Sequence, residues 1–147
     1  MFKRFVLTLF LAICLFVGSG IFSFSAEALV PIKITNVSYK ECPPGVGENS
    51  VTSGGSALPA TCFLVVGETN NTSGKTVYDA DVFGRVLDAN NEPALQNRSR
   101  LGSLTEVLPG VHEFELRISV PSNQPTPLKL KQFKATGFTS PVYPSFE

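Results

Sequence analysis

Hydrophobic and polar residues alternate along several short stretches of the chain, which is the pattern of half-buried β-strands. The clearest stretch covers residues 113–120, where every second side chain is large and apolar. A second stretch covers residues 78–86, although Phe83 and Leu87 fall on its polar side and predict a strand partly covered on both faces. Residues 62–66 are apolar throughout, which favours a buried central strand.

Three less regular stretches complete the predicted strands. Residues 32–39 form an opening strand, and residues 98–107 form another that Gly102 weakens. Residues 128–133 form the last strand, in which the alternation slips at Gln132 and predicts a β-bulge. Turns rich in Asn, Asp, Gly and Pro separate these stretches, and a count of about six to seven short strands favours an all-β fold, an antiparallel immunoglobulin-like β-sandwich of about seven strands. A small barrel is the alternative.

Residues 1–28 have the three parts of an export signal. Lys3 and Arg4 give a positive start, an uncharged apolar run follows, and residues 26–28 supply the small-residue spacing that signal peptidase accepts. We therefore predict an exported protein whose signal peptide, residues 1–28, is removed. A retained membrane anchor is the alternative, because residues 5–26 carry no charge and about 20 apolar residues are enough to span a bilayer.

The rest of the chain is one domain in length, and its charge is nearly balanced. We predict a β-sandwich domain over residues 29–140 and a C-terminal tail over residues 141–147. The whole chain has 12 Lys and Arg against 12 Asp and Glu. Nucleic-acid binding, which requires a strongly basic surface, is therefore not expected.

Two cysteines, Cys42 and Cys62, follow the leader, and a third, Cys14, lies within it. In an oxidising compartment such a pair most simply forms a structural disulfide, which would stabilise the fold by about 3 kcal/mol in the loop-entropy model. A redox-active thiol switch is the alternative. The pair flanks residues 48–59, a Gly- and Ser-rich stretch expected to be a mobile loop. No zinc site is expected, because His112 is the only histidine and there is no C-x-x-C motif.

Carboxylates are the strongest candidates for chemistry. Asp79 and Asp81 are two residues apart, so a strand would project both from one face, where they could bind Ca²⁺ or share a proton. A solvated pair bonded to a neighbouring Arg or Lys is the plainer interpretation. Residues 88–92 follow the start of a calcium loop, but Pro93 stands where that loop requires glycine. We therefore predict no catalytic residue, no metal and no cofactor.

Basic residues also share the two-residue spacing of a strand face. Arg98 and Arg100 are one such pair, and Lys129 and Lys131 are another. If these strands were adjacent, a basic stripe would face an acidic protein or anionic headgroups; ordinary charge alternation is the plainer interpretation. Four asparagines lie in glycosylation sequons that matter only in a eukaryotic secretory pathway: Asn36, Asn70, Asn71 and Asn97.

The turns and strands of residues 71–82, 86–93 and 108–110 form a pattern of known type. It resembles the FxLYD-type immunoglobulin-like domains of exported bacterial proteins, in which an N-x-S turn leads into a strand and a P-G turn precedes a phenylalanine-bearing strand. Residues 83–88 lack the tyrosine of the namesake motif. The resemblance implies an immunoglobulin-like β-sandwich.

Residues 80–86, 97–103 and 116–121 carry a second resemblance. They are similar to small proteins of cyanobacteria and chloroplasts that are directed to the thylakoid lumen. This resemblance implies a role near photosynthetic membranes and supplies no catalytic residue.

The sequence thus favours a non-enzymatic binding or assembly module that acts at a membrane complex in the thylakoid lumen or periplasm. Its partner would be a protein, with peripheral membrane association as an additional contact. The predicted interaction surface comprises Asp79, Asp81, Arg98 and Arg100, which strands would hold exposed and oriented. The alternatives are a metal-binding or hydrolytic enzyme that uses Asp79, Asp81 and His112, and a structural domain of the cell envelope.

Overall fold

The computed structural model describes residues 29–52, 58–95 and 99–142, and these residues form six β-strands and no helix. The strands are β1 (Val30–Glu41), β2 (Ala60–Asn71), β3 (Val77–Leu87), β4 (Arg100–Val107), β5 (Gly110–Pro121) and β6 (Lys129–Phe138). All neighbouring strands are antiparallel, in the order β4-β3-β6-β1-β2-β5. The predicted all-β, antiparallel class is confirmed. Two stacked layers and a seventh strand are not confirmed, because the described residues form a single sheet.

Several predicted features lie outside the described residues. They are the signal peptide over residues 1–28, residues 53–57 of the predicted mobile loop, Asn97 and Arg98, and residues 143–147 of the tail. Nowhere in the described ranges does a helix have the length and apolar character needed to cross a membrane.

The alternating sequence of β5 produces the burial that the pattern predicts. Phe114, Leu116, Ile118 and Val120 are buried, and the charged residues between them are exposed. On β2 the apolar run from Cys62 to Val65 is buried without alternation, as a strand covered on both faces requires.

One core fills the inside of the curved sheet. Its largest fully buried apolar side chains come from β1, β2, β3 and β5: Ile32, Val65, Val77, Val82 and Val120. Burial of each such side chain contributes about 1.5–3 kcal/mol of hydrophobic stabilisation. Because four strands contribute to one cluster, the sheet cannot flatten without exposing it.

The two edge strands, β4 and β5, face each other across a seam that no ladder of backbone hydrogen bonds closes in the described residues. Side chains close this seam instead. A Cβ atom at Gly102 of β4 would lie only 2.7 Å from Cδ1 of Leu116 on β5. Nearer the β4–β5 turn, Nδ2 of Asn71 donates to the backbone oxygen of Val107 at 3.0 Å. The sheet is therefore a nearly closed barrel, in which side-chain packing completes the closure between β4 and β5.

The phase slip predicted in the last strand is confirmed as a bulge in β6. Gln132 has a left-handed backbone with φ 58°. The pairing of β6 with β3 shifts register at this point, between Phe83 and Arg85. One extra residue on β6 therefore changes which later side chains point outward.

Candidate functional site

The predicted interaction residues that the structure describes lie on β3 and β4. Oδ1 of Asp81 accepts a hydrogen bond from Arg100 at 2.6 Å across the two strands. The Arg100 side chain is 55% exposed and that of Asp81 is 36% exposed, so solvent weakens this ion pair and it contributes at most about 1 kcal/mol of stability. Oδ2 of Asp79 accepts from the backbone N–H of Val142 at 3.0 Å. The two carboxylates thus bind different groups, and their role as an interaction surface stays a prediction.

The histidine that the enzymatic alternative requires contacts the backbone of the turn that precedes it. His112 lies on β5, where Nε2 is 2.9 Å from the backbone oxygen of Pro109. Asp79 and Asp81 lie on β3, which is not a neighbour of β5 in the sheet. Within the described ranges, no three His, Cys, Asp or Glu side chains are grouped as metal ligands would be. The structure therefore does not assemble the residues that this alternative requires.

The β3–β4 loop uses its aspartate to organise its own backbone. Asp88 is buried, and its Oδ1 accepts hydrogen bonds from the backbone N–H groups of Asn90 at 2.8 Å and Glu92 at 2.9 Å. This is the usual way in which an aspartate stabilises a tight turn. The residues that suggested a calcium loop thus have a structural role here.

The predicted basic stripe does not form from its two pairs. The strands that carry Arg100 and Lys131, β4 and β6, are separated by β3. Nζ of Lys129 donates to the backbone oxygen of Ala89 and to Oδ1 of Asn91, so it stabilises the β3–β4 loop. Lys131 belongs to a different basic surface, which sequence spacing along one strand does not show.

The predicted disulfide between Cys42 and Cys62 is confirmed, with the two Cα atoms 5.5 Å apart. It joins the end of β1 to the start of β2, at the base of the long β1–β2 connection. Disulfides persist in oxidising compartments, so the bond is consistent with an extracytoplasmic location.

Beside this disulfide the chain folds into a compact lobe, here called the disulfide lobe and defined as residues 42–52 and 58–59. Four backbone N–H to oxygen bonds of 2.9–3.1 Å hold it together and join it to β2: Val46 to Pro43, Ser50 to Gly47, Thr52 to Leu58, and Ala60 to Ser50. The glycine-rich composition predicts a loop here but does not predict these bonds. The described part of this connection therefore has a defined shape.

The disulfide lobe rests directly on the sulfur link. A Cβ atom at Gly47 would lie 2.6 Å from Cβ and 2.8 Å from Sγ of Cys62, so only a glycine backbone can approach this closely. Gly47 also has a left-handed φ of 77°. The backbone of the disulfide lobe thus packs directly against the disulfide.

The disulfide lobe exposes apolar side chains despite its internal order. Val46, Val51 and Leu58 are 42%, 54% and 46% exposed, and they are three of the seven large hydrophobic residues that are exposed in the described part of the chain. Exposed apolar groups that gather into one patch often mark a contact with another protein, whereas single ones are ordinary. Sequence reasoning missed this surface, because Val51 and Leu58 lie in the stretch that predicts only a loop, and Val46 lies just before it.

Fold and lobe together define an all-β domain with a disulfide-braced surface loop. No protein-family model, curated protein or solved structure matches the chain. The resemblances to FxLYD-type domains and to thylakoid-lumen proteins therefore stay predictions.

Proposed function

We propose that this protein is a non-enzymatic, exported binding module, and that its disulfide lobe docks onto a protein partner at a membrane complex. The observation that carries the proposal is the exposure of Val46, Val51 and Leu58 on the disulfide lobe, whose described residues are joined by backbone hydrogen bonds. Ordering a chain on binding costs free energy, so residues that these bonds and the disulfide already hold bind with a smaller entropic loss.

The export signal and the disulfide support a location outside the cytoplasm, either the periplasm or the thylakoid lumen. The resemblance to small lumenal proteins favours the lumen, where the module would be an accessory to a photosynthetic complex. An exposed apolar lobe supports the binding of a partner rather than the catalysis of a reaction.

Site-specific photo-crosslinking tests this proposal. A photoreactive amino acid is placed at Val51 in the lobe and, as a control, at Val111, which is 58% exposed and follows the β4–β5 turn at the other end of the barrel. In membranes of the organism that makes the protein, we expect one discrete adduct from position 51 and none from position 111. Val46→Asp should abolish that adduct. Equal adducts from both positions, or an adduct only from position 111, would rule out docking through the lobe.

A further inference from the structure

A basic face lies on the outer surface of β3, β6 and β1. It comprises Arg85, Lys131, Lys134 and Lys33, all exposed. Arg85 is directly opposite Lys131 in the β3–β6 pairing, and Lys33 is directly opposite Lys134 in the β1–β6 pairing. Residues directly opposite each other project from the same side of a sheet. The four cations therefore form one surface across three adjacent strands.

These cations have no acidic partner in the described residues. The two ion pairs of that part of the chain involve other cations, Lys40 with Glu115 and Arg100 with Asp81. Like charges directly opposite each other on neighbouring strands lower the stability of a sheet. An external anion at the basic face would relieve this repulsion.

The bulge in β6 builds this face. Because Gln132 adds a residue, Lys131 and Lys134 are both exposed although they are three positions apart. Phe133, between them, turns inward over Gly84, where a Cβ atom would lie 2.7 Å from its ring. On β3, the half-buried Phe83 lies directly opposite Lys134, so an aromatic ring shares the basic face.

Acidic residues lie on the two strands that follow β1 in the sheet order. Glu68 of β2 is directly opposite Glu113 of β5, whereas Glu115, two residues further along β5, is paired with Lys40 at 2.9 Å. The whole chain has no net charge, so attraction to anions would be local to the basic face and not a property of the whole surface. A negatively charged plane would therefore meet the barrel through the basic face.

We propose that the basic face binds an anionic lipid surface. Three of its four cations are lysines, which act as point charges and lack the planar fork with which arginine recognises individual carboxylates in a protein partner. The inference does not depend on the disulfide lobe, which is a separate surface and would remain free for a protein.

Vesicle co-sedimentation of the full chain tests the lipid proposal. Each Lys or Arg near an anionic membrane strengthens binding about fivefold, so Lys131→Ala with Lys134→Ala should weaken partition onto phosphatidylglycerol vesicles by about 30-fold. The control double variant is Lys75→Ala with Arg117→Ala, which removes two exposed cations outside the basic face. The control should bind as the unaltered chain does, and both doubles should bind phosphatidylcholine vesicles equally.

Salt and a soluble polyanion separate the remaining outcomes. The difference between the doubles should vanish as salt rises from about 0.1 M to about 1 M, where the screening length falls from about 10 Å to about 3 Å. Equal weakening in both doubles, or binding that ignores phosphatidylglycerol, would refute the proposal. The proposal would also be refuted if the basic-face double variant lost binding to polyglutamate but kept its binding to vesicles. That result would identify an acidic protein as the ligand. Urea unfolding confirms that the variants are folded, and loss of repulsion should leave the basic-face double at least as stable as the control.

Discussion

A single buried amide determines how one end of the barrel is closed. Asn71 is 1% exposed, and its Nδ2 donates to the backbone oxygens of Lys75 at 2.8 Å and Val107 at 3.0 Å. Its Oδ1 accepts from the N–H and hydroxyl of Ser73. Every polar atom of the amide is therefore bound within the protein. Although Asn71 lies in a sequon, its amide nitrogen is committed to the fold and is not accessible for glycosylation in the folded state.

Removal of this amide should destabilise the protein substantially. Asn71→Ala leaves the oxygen of Val107 without its donor, and each buried polar group left unpaired costs about 1–3 kcal/mol. Asn71→Asp should cost more, because it places a carboxylate oxygen against two carbonyl oxygens. The free energy of unfolding in urea measures both losses. The control is Asn70→Ala on the same strand, which should change stability by less than about 0.5 kcal/mol; a similar loss at both positions would show that Asn71 does not close this end.

At the level of elements, the disulfide lobe requires glycine at position 47 more strictly than at position 45. Gly45 and Gly47 both have left-handed φ, so alanine introduces similar backbone strain at each. Only at Gly47 would the new Cβ meet Cys62, whereas a Cβ at Gly45 has no neighbour within 4 Å. We expect Gly47→Ala to lose about 1–3 kcal/mol more than Gly45→Ala, the range for overpacking. Unfolding in urea with the disulfide intact gives the comparison, and equal losses would mean that the lobe does not rest on the sulfur link.

Sequence patterns predicted the elements better than their arrangement. Alternation marked β5 and the phase slip at Gln132 because side-chain periodicity is a local property of the strand. The Cys42–Cys62 bond followed from the leader, which implies an oxidising compartment. Periodicity does not say which strand lies beside which, so the single curved sheet was not predicted as the favoured fold.

The candidate surfaces escaped sequence reasoning for the same physical reason. The basic face combines single residues of β3, β6 and β1, and only register brings Lys33 opposite Lys134. Asp79 and Asp81 share a spacing but bind different groups, because Asp79 has a left-handed φ of 48° that interrupts the regular strand. Spacing within one strand predicts a shared face only where the backbone is regular.

For the molecule as a whole, the seam between β4 and β5 gives the backbone N–H groups of alternate β5 residues different surroundings. In an antiparallel pair, alternate residues exchange both hydrogen bonds with the partner strand, and the others point their backbone groups the opposite way. The N–H of Ser122 donates to the oxygen of Pro59, and the N–H of Ala60 donates away from β5, to Ser50. Since the β2–β5 register has no shift, even-numbered residues of β5 bond to β2. Odd-numbered residues therefore point their N–H groups into the seam.

This geometry predicts alternating protection of β5 amides from hydrogen exchange. Amides at positions 112, 114, 116, 118 and 120 should exchange slowly, because opening them requires disruption of the β2–β5 ladder. Amides at positions 113, 115, 117 and 119 should exchange faster, because in the described residues no ladder to β4 covers them. Exchange followed by NMR resolves neighbouring amides, and central positions of β2, paired on both sides, give the internal standard. Uniform slow exchange along β5 would show that backbone hydrogen bonds, and not the packing of side chains such as Leu116, complete the barrel.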